Sequence, residues 1–254
     1  MTMRALRGMK DDVPPPGPAV PKPAAVTRFR VDQPSIARVK RGIAHRLEER
    51  FELAIADFSA VIDLPKCTPN LKATALVERG VTYALQGKSR PAILDYNAAI
   101  NLPGAPAHKR ASALCYRGGI YFRMDEVERA ISDYTAVITM PGVSATTGAL
   151  ARKALGAAYA RQHNFDMAIA EYTTLLEPPD APAGLRSLIL LERADAFRQQ
   201  GKIKKAISDY SAVINLPEAN PRLRALALAS RDQLLRLLPR ATEKHARRGL
   251  RGGL

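Results

Sequence analysis

The side chains of this 254-residue sequence best suited to nucleophilic or metal chemistry are Cys67, Cys115, His45, His108, His163 and His245, and their spacing supports neither. The two cysteines stand 48 residues apart, with no CxxC and no histidine pattern nearby, as a reducing compartment would leave them. No GxSxG, HExxH, GxGxxG or phosphate-binding loop occurs, so no catalytic constellation, metal or cofactor is expected. What spacing does organise is charge. Arg41, Arg79, Arg117 and Arg193 are each followed 16 residues later by Asp57, Asp95, Asp133 and Asp209, and the series changes once, at Leu155 and Glu171. A cation and a carboxylate recurring at a fixed offset read as one ion pair repeated in four structural units. Partly sheltered, such a pair specifies register more than it adds stability.

The elements that position these pairs come from a repeat. AIADFSAVIDLP at Ala54 recurs as AILDYNAAINLP at Ala92, AISDYTAVITMP at Ala130, AIAEYTTLLEPP at Ala168 and AISDYSAVINLP at Ala206, each 38 residues after the last. A fixed period of this length means a stacked array whose units bury their apolar faces on one another. Within the stretch, Ala130, Ile131, Tyr134, Val137 and Ile138 fall on one face of a helix, and a proline stops each copy at Pro65, Pro103, Pro141, Pro179 and Pro217. About 12 residues upstream, Gly42, Gly80, Gly118, Gly156 and Ala194 are each followed three residues later by His45, Tyr83, Tyr121, Tyr159 and Phe197, marking a first helix. Short polar turns join the two helices into a hairpin. Glycine costs a helix about 1 kcal/mol relative to alanine, so four copies at one phase predict a close approach, with Gly80 opposite Ala92.

These features resemble the tetratricopeptide repeat family over residues 35–217, in five copies. The resemblance implies an all-α solenoid of antiparallel hairpins, coiled as a right-handed superhelix. The period exceeds the usual 34 residues by four, about one helical turn, and Thr68-Pro69, Ser144 and Asn220-Pro221 place that turn at the start of the first helix. The expected organisation is a proline-rich disordered arm over 1–34, repeats at 35–72, 73–110, 111–148, 149–186 and 187–224, a capping helix at 219–238 and a basic flexible tail at 239–254. Leu223, Ala227, Ser230, Leu234 and Leu237 are expected to close the end of the array, with Arg222, Arg231 and Arg236 facing water.

The family's hairpins act as scaffolds, holding a peptide or partner surface on a concave face lined by first helices. One subtype clamps a terminal carboxylate with Lys, Asn and Arg. The matching places here hold Val39, Ile43, Glu78, Ser112 and Tyr116, or, one repeat later, Val77, Val81, Tyr116, Leu150 and Ala154, so that subtype is rejected. By family geometry the face presents Arg46, Tyr116, Phe122, Arg123, Lys153, Arg161, Asp195 and Arg198. The resemblance therefore implies a non-enzymatic protein-binding scaffold, and this basic and aromatic face suits a segment with acidic residues. The alternative is RNA or another polyanion, since residues 1–34 and 225–254 carry +3 and +5 of the net +15. The start carries charges and no long apolar run, and no segment approaches about 18 uninterrupted apolar residues, so a soluble cytoplasmic protein is expected.

Overall fold

The structure, a computed structural model, describes residues 33–177, 183–217 and 219–237. The proline-rich arm, apart from Gln33 and Pro34, and the basic tail lie outside the described residues. Eleven helices and no strand occur among the described residues. They are α1 (Gln33–Leu47), α2 (Phe51–Ile62), α3 (Pro69–Leu85), α4 (Ser89–Ile100), α5 (Ala107–Arg123), α6 (Val127–Thr139), α7 (Ala145–Arg161), α8 (Phe165–Leu176), α9 (Ala183–Gln199), α10 (Ile203–Asn215) and α11 (Pro221–Leu237). Odd-numbered helices are the first of each hairpin and even-numbered ones the second. From α3 onward the first helices have 17 residues against 12 or 13 in the second, which is where the additional turn went.

Helix ends follow local chemistry. Thr68 and Ser144 cap α3 and α7 by accepting from the backbone N–H of Leu71 and Thr147, at 3.3 and 3.2 Å. At the other end, Glu49, Gly87, Asp125, His163 and Gly201 each adopt a positive φ of 59–75°. Their N–H groups bond back to Arg46, Ala84, Phe122, Ala160 and Arg198, and the next residue bonds to the carbonyl of His45, Tyr83, Tyr121, Tyr159 or Phe197. This double closure satisfies the last carbonyls and reverses the chain in every hairpin. Only two of the five turns use the glycine that the left-handed conformation favours.

The close approach in the four hairpins that carry the glycine differs from the expected one. A Cβ built on Gly42, Gly80, Gly118 or Gly156 would fall 2.6–2.8 Å from the ring of Phe58, Tyr96, Tyr134 or Tyr172. The glycine thus makes room for the aromatic of the second helix rather than for Ala92 and its equivalents. The rings are large and the alanines small, so the ring decides where the backbone must be bare. Ala130 is fully buried, in a cluster with Tyr121, Leu155 and Ala158.

The Arg and Asp series forms the expected pairs. Arg79 Nε and Nη2 donate to both oxygens of Asp95 at 2.9 and 2.7 Å, and Arg193 does the same to Asp209 at 2.8 Å twice. Arg117 meets Asp133 at 2.9 and 2.6 Å, and Arg41 donates to both oxygens of Asp57. A further contact was not legible beforehand. Nη1 of Arg79, Arg117 and Arg193 reaches back to Ser59, Asn97 and Thr173 on the second helix of the preceding hairpin. One guanidinium therefore ties three helices. Arg41 has no preceding hairpin among the described residues, and its side chain is 61% exposed against 18–20% for the other three.

Among the described residues each first helix touches the next first helix, while no second helix touches another second helix. The first helices therefore follow the shorter path through the stack and line its inner, concave side. α11 contacts α9 and α10, continuing the first-helix row. It buries Ala227 and Leu234 and packs Leu223 against the same core, while Arg222 and Arg236 are exposed. Arg231 departs from the water-facing expectation, being half-buried and bonded to Asp232.

Candidate partner-binding face

The concave side is built from groove-facing turns of α5, α7 and α9. Tyr116 and Arg123 stand seven residues apart on α5, two helical turns, and so share one face. Tyr116 is 49% exposed, its ring stacked on Tyr96 at 5.8 Å between centroids. Burial raises the phenol pKa of Tyr96 well above its ordinary value, keeping the supporting ring neutral. Arg123 is exposed and makes no hydrogen bond or ion pair among the described residues.

The other cations named from the sequence are engaged. Arg46 donates to Glu78 at 3.2 Å, joining α1 to α3. Lys153 lies 3.5 Å from Glu192, joining α7 to α9. Arg161 sits 5.4 Å over the half-buried Phe122 ring and 3.1 Å from Asp125. Arg198 donates to Asp195 at 3.2 Å, and the same carboxylate oxygen accepts from the Tyr210 hydroxyl at 2.7 Å. The carboxylates Glu78, Asp125 and Glu192 were missed by sequence reasoning. Glu78 and Glu192 share one phase of the repeat, but Tyr116 and Ala154 hold that place in the repeats between them and the three carboxylates lie at unequal offsets from their partners, so no unbroken series marks them.

Between α7 and α9 the face opens into a pocket of about 410 Å³. Ala157, Ala160 and Ala196 give it a small-residue floor, and Phe165 and Tyr172 of α8 contribute aromatic walls. His163, Glu192, Asp195, Arg198 and Gln199 complete the lining. Burial pushes the Glu192 carboxyl above its usual range, with the Lys153 charge opposing. The Tyr172 phenol is raised by burial and then by the Glu192 charge beside it.

Cys67 and Cys115 are in no disulfide and both are half-buried, and burial raises Cys115 to about 11, far from the nucleophilic range. Among the described residues no group of three or more His, Cys, Asp or Glu is placed to hold a metal ion. No described helix is long and apolar enough to cross a membrane.

No family model matches the sequence, and neither does any curated protein. Solved structures do match the fold. The chain is similar to MamA, at 23% identity and a TM-score of 0.55, over 67% of this chain and 90% of MamA. It is similar to YrrB, a tetratricopeptide-repeat protein with an unusual peptide-binding site, at 14% identity and a TM-score of 0.58, over 78% of this chain and 92% of YrrB. A third likeness, to the C-terminal part of a repeat-containing protein of the same kind from Cytophaga hutchinsonii, has 20% identity and a TM-score of 0.58, over 77% of this chain and 72% of the other. The chain has the tetratricopeptide-repeat fold, an all-α solenoid of consecutive helical hairpins.

Proposed function

We propose that this chain is a non-enzymatic, cytoplasmic scaffold that holds a peptide segment of a partner protein on the concave face of repeats three to five, with acidic side chains of the segment meeting Arg123. The observation that carries this reading is the pair Tyr116 and Arg123, an exposed aromatic and an unengaged cation on one face of α5. Exposed aromatic and arginine side chains are the types that most often dominate binding energy at protein interfaces. Arg46, Phe122, Lys153, Arg161, Asp195 and Arg198 act around that pair by shaping the face, since the charges of the five ionic ones are spent on one another or on neighbouring carboxylates and Phe122 is covered by Arg161. That engagement also weighs against RNA or another polyanion on the concave side, because phosphate binding draws on a run of available cations. The polyanion reading then rests chiefly on residues 1–34 and 225–254, which carry more than half of the net charge.

The test uses the full-length chain to capture a partner from lysate of its source cells, followed by calorimetric titration of the identified segment. Arg123→Glu combined with Tyr116→Ala is expected to leave thermal unfolding unchanged and to weaken binding at least about tenfold, or about 1.4 kcal/mol. Undiminished affinity in the folded variant overturns the reading. A steep loss of affinity with salt, one that persists in this variant and vanishes when residues 239–254 are removed, supports polyanion binding instead.

A further inference from the structure

The junctions between repeats three and four and between repeats four and five use equivalent positions, but a place filled at the first lies in a pocket at the second. At the first, Phe122 packs against the core, Arg161 lies 5.4 Å over its ring, and Asp125 holds the guanidinium at 3.1 Å. Moved along by the 38-residue period, these three become Ala160, Gln199 and His163. All three line the pocket of about 410 Å³. The opening is therefore the place of a plug that the preceding junction fills with its own phenylalanine and that this junction leaves unfilled.

Resting on the concave-face reading above, we infer that this pocket is an anchor site for the aromatic side chain of a phenylalanine or tyrosine in the partner segment. The ring takes the place that Phe122 fills one repeat earlier. The volume lies within the range of ligand pockets, about 300–1,000 Å³. A flat ring suits the alanine floor and gains contact with the Phe165 and Tyr172 rings, burying on the order of 150–250 Å². The charge of the lining selects against an ionic occupant. Glu192 is paired with Lys153 and Asp195 with Arg198, so neither a cation nor an anion finds net attraction, while a neutral ring leaves both pairs in place. Arg198, exposed at the rim, supplies the guanidinium that can lie over the incoming ring as Arg161 lies over Phe122.

The test is a titration of the isotope-labelled full chain with N-acetyl-phenylalaninamide and, separately, N-acetyl-lysinamide, read by backbone amide shifts. The phenylalanine probe is expected to shift the amides of 157–163 and 195–199 saturably, with a Kd at least about fivefold below that of the lysine probe. Ala160→Phe rebuilds half of the plug from within and is expected to abolish those shifts while the protein stays folded. Ala160→Leu serves if the phenylalanine variant does not fold. Absence of saturable shifts at the pocket, equal affinity for the lysine probe, or unchanged shifts in the folded variant overturns the inference and leaves the Arg123 reading standing. Partner binding that ignores Arg123→Glu and Tyr116→Ala removes the concave-face reading and this inference with it.

Discussion

Repeat four and the other four repeats solve the same problem with different residues. In repeats one, two, three and five, an arginine just before the small residue of the first helix grips an aspartate just before the aromatic of the second. In repeat four Leu155 takes the arginine's place and is buried in the core beside Tyr121 and Ala158. The hairpin is still clamped. Arg152, three residues earlier on α7, reaches Glu171 at 2.6 Å, and the glutamate's additional methylene helps to close the gap. What is lost is the bond to the preceding hairpin, for Thr135 receives no arginine where Ser59, Asn97 and Thr173 do. An ion pair within the hairpin tolerates relocation by a turn, whereas the three-helix tie requires one position.

The largest effect is expected from removing a carboxylate in a complete tie. Asp133→Ala leaves a mostly buried Arg117 without its main partner and is expected to cost about 3 kcal/mol, checked by urea unfolding. Glu171→Ala strands the more exposed Arg152 alone and is expected to cost about 1 kcal/mol. Equal costs for the two would erase the distinction between the repeats.

Ala130→Leu tests the packing around that difference. The added volume enters the cluster that Leu155 closes, and overpacking of this kind costs about 1–3 kcal/mol. Thr135→Ala, at an exposed position that no arginine reaches, is expected to be nearly silent. Comparable shifts of the melting temperature would mean that Thr135 is tied after all.

The turns allow a smaller comparison in the opposite direction. Gly87 and Gly201 adopt the left-handed conformation without a Cβ, while Glu49 adopts it with one. Glu49→Gly is expected to stabilise the protein by up to about 1 kcal/mol, and Gly87→Ala to destabilise it by a similar amount, both read from thermal melts.

The smallest effect belongs to the outermost clamp. Hydrogen bonding to Arg41 holds the Asp57 carboxyl below its ordinary value, with burial opposing. A carboxyl depressed by folding contributes stability above its unfolded value of about 3.9 and loses it as pH falls through the folded value. The melting-temperature gap between wild type and Asp57→Asn is therefore expected to be constant near neutrality and to close below about pH 4. It should be the least of the clamp effects because the Arg41 side chain is 61% exposed. A gap that persists in acid would assign the effect to packing instead.

How much of this was legible beforehand follows from what repeats. The sequence by itself determined the hairpins, their number, the arginine and aspartate clamps and the added turn at the start of the first helix. In a solenoid each unit meets only its neighbours, so a contact made once recurs at a fixed sequence offset and becomes visible as a period. Tertiary structure alone decided what lay off that period. Gly80 faces the Tyr96 ring rather than Ala92, because the helix crossing and the ring's rotamer set which atoms approach. Arg46, Lys153, Arg161 and Arg198 proved engaged by Glu78, Glu192, Asp125 and Asp195, which left Arg123 as the unengaged one of the five cations named from the sequence. The open junction arose the same way: a ring, a guanidinium and a carboxylate from two hairpins plug one groove position, and their three smaller or uncharged counterparts leave the next one open. No single segment carries that information, since the plug is made only when two hairpins are stacked.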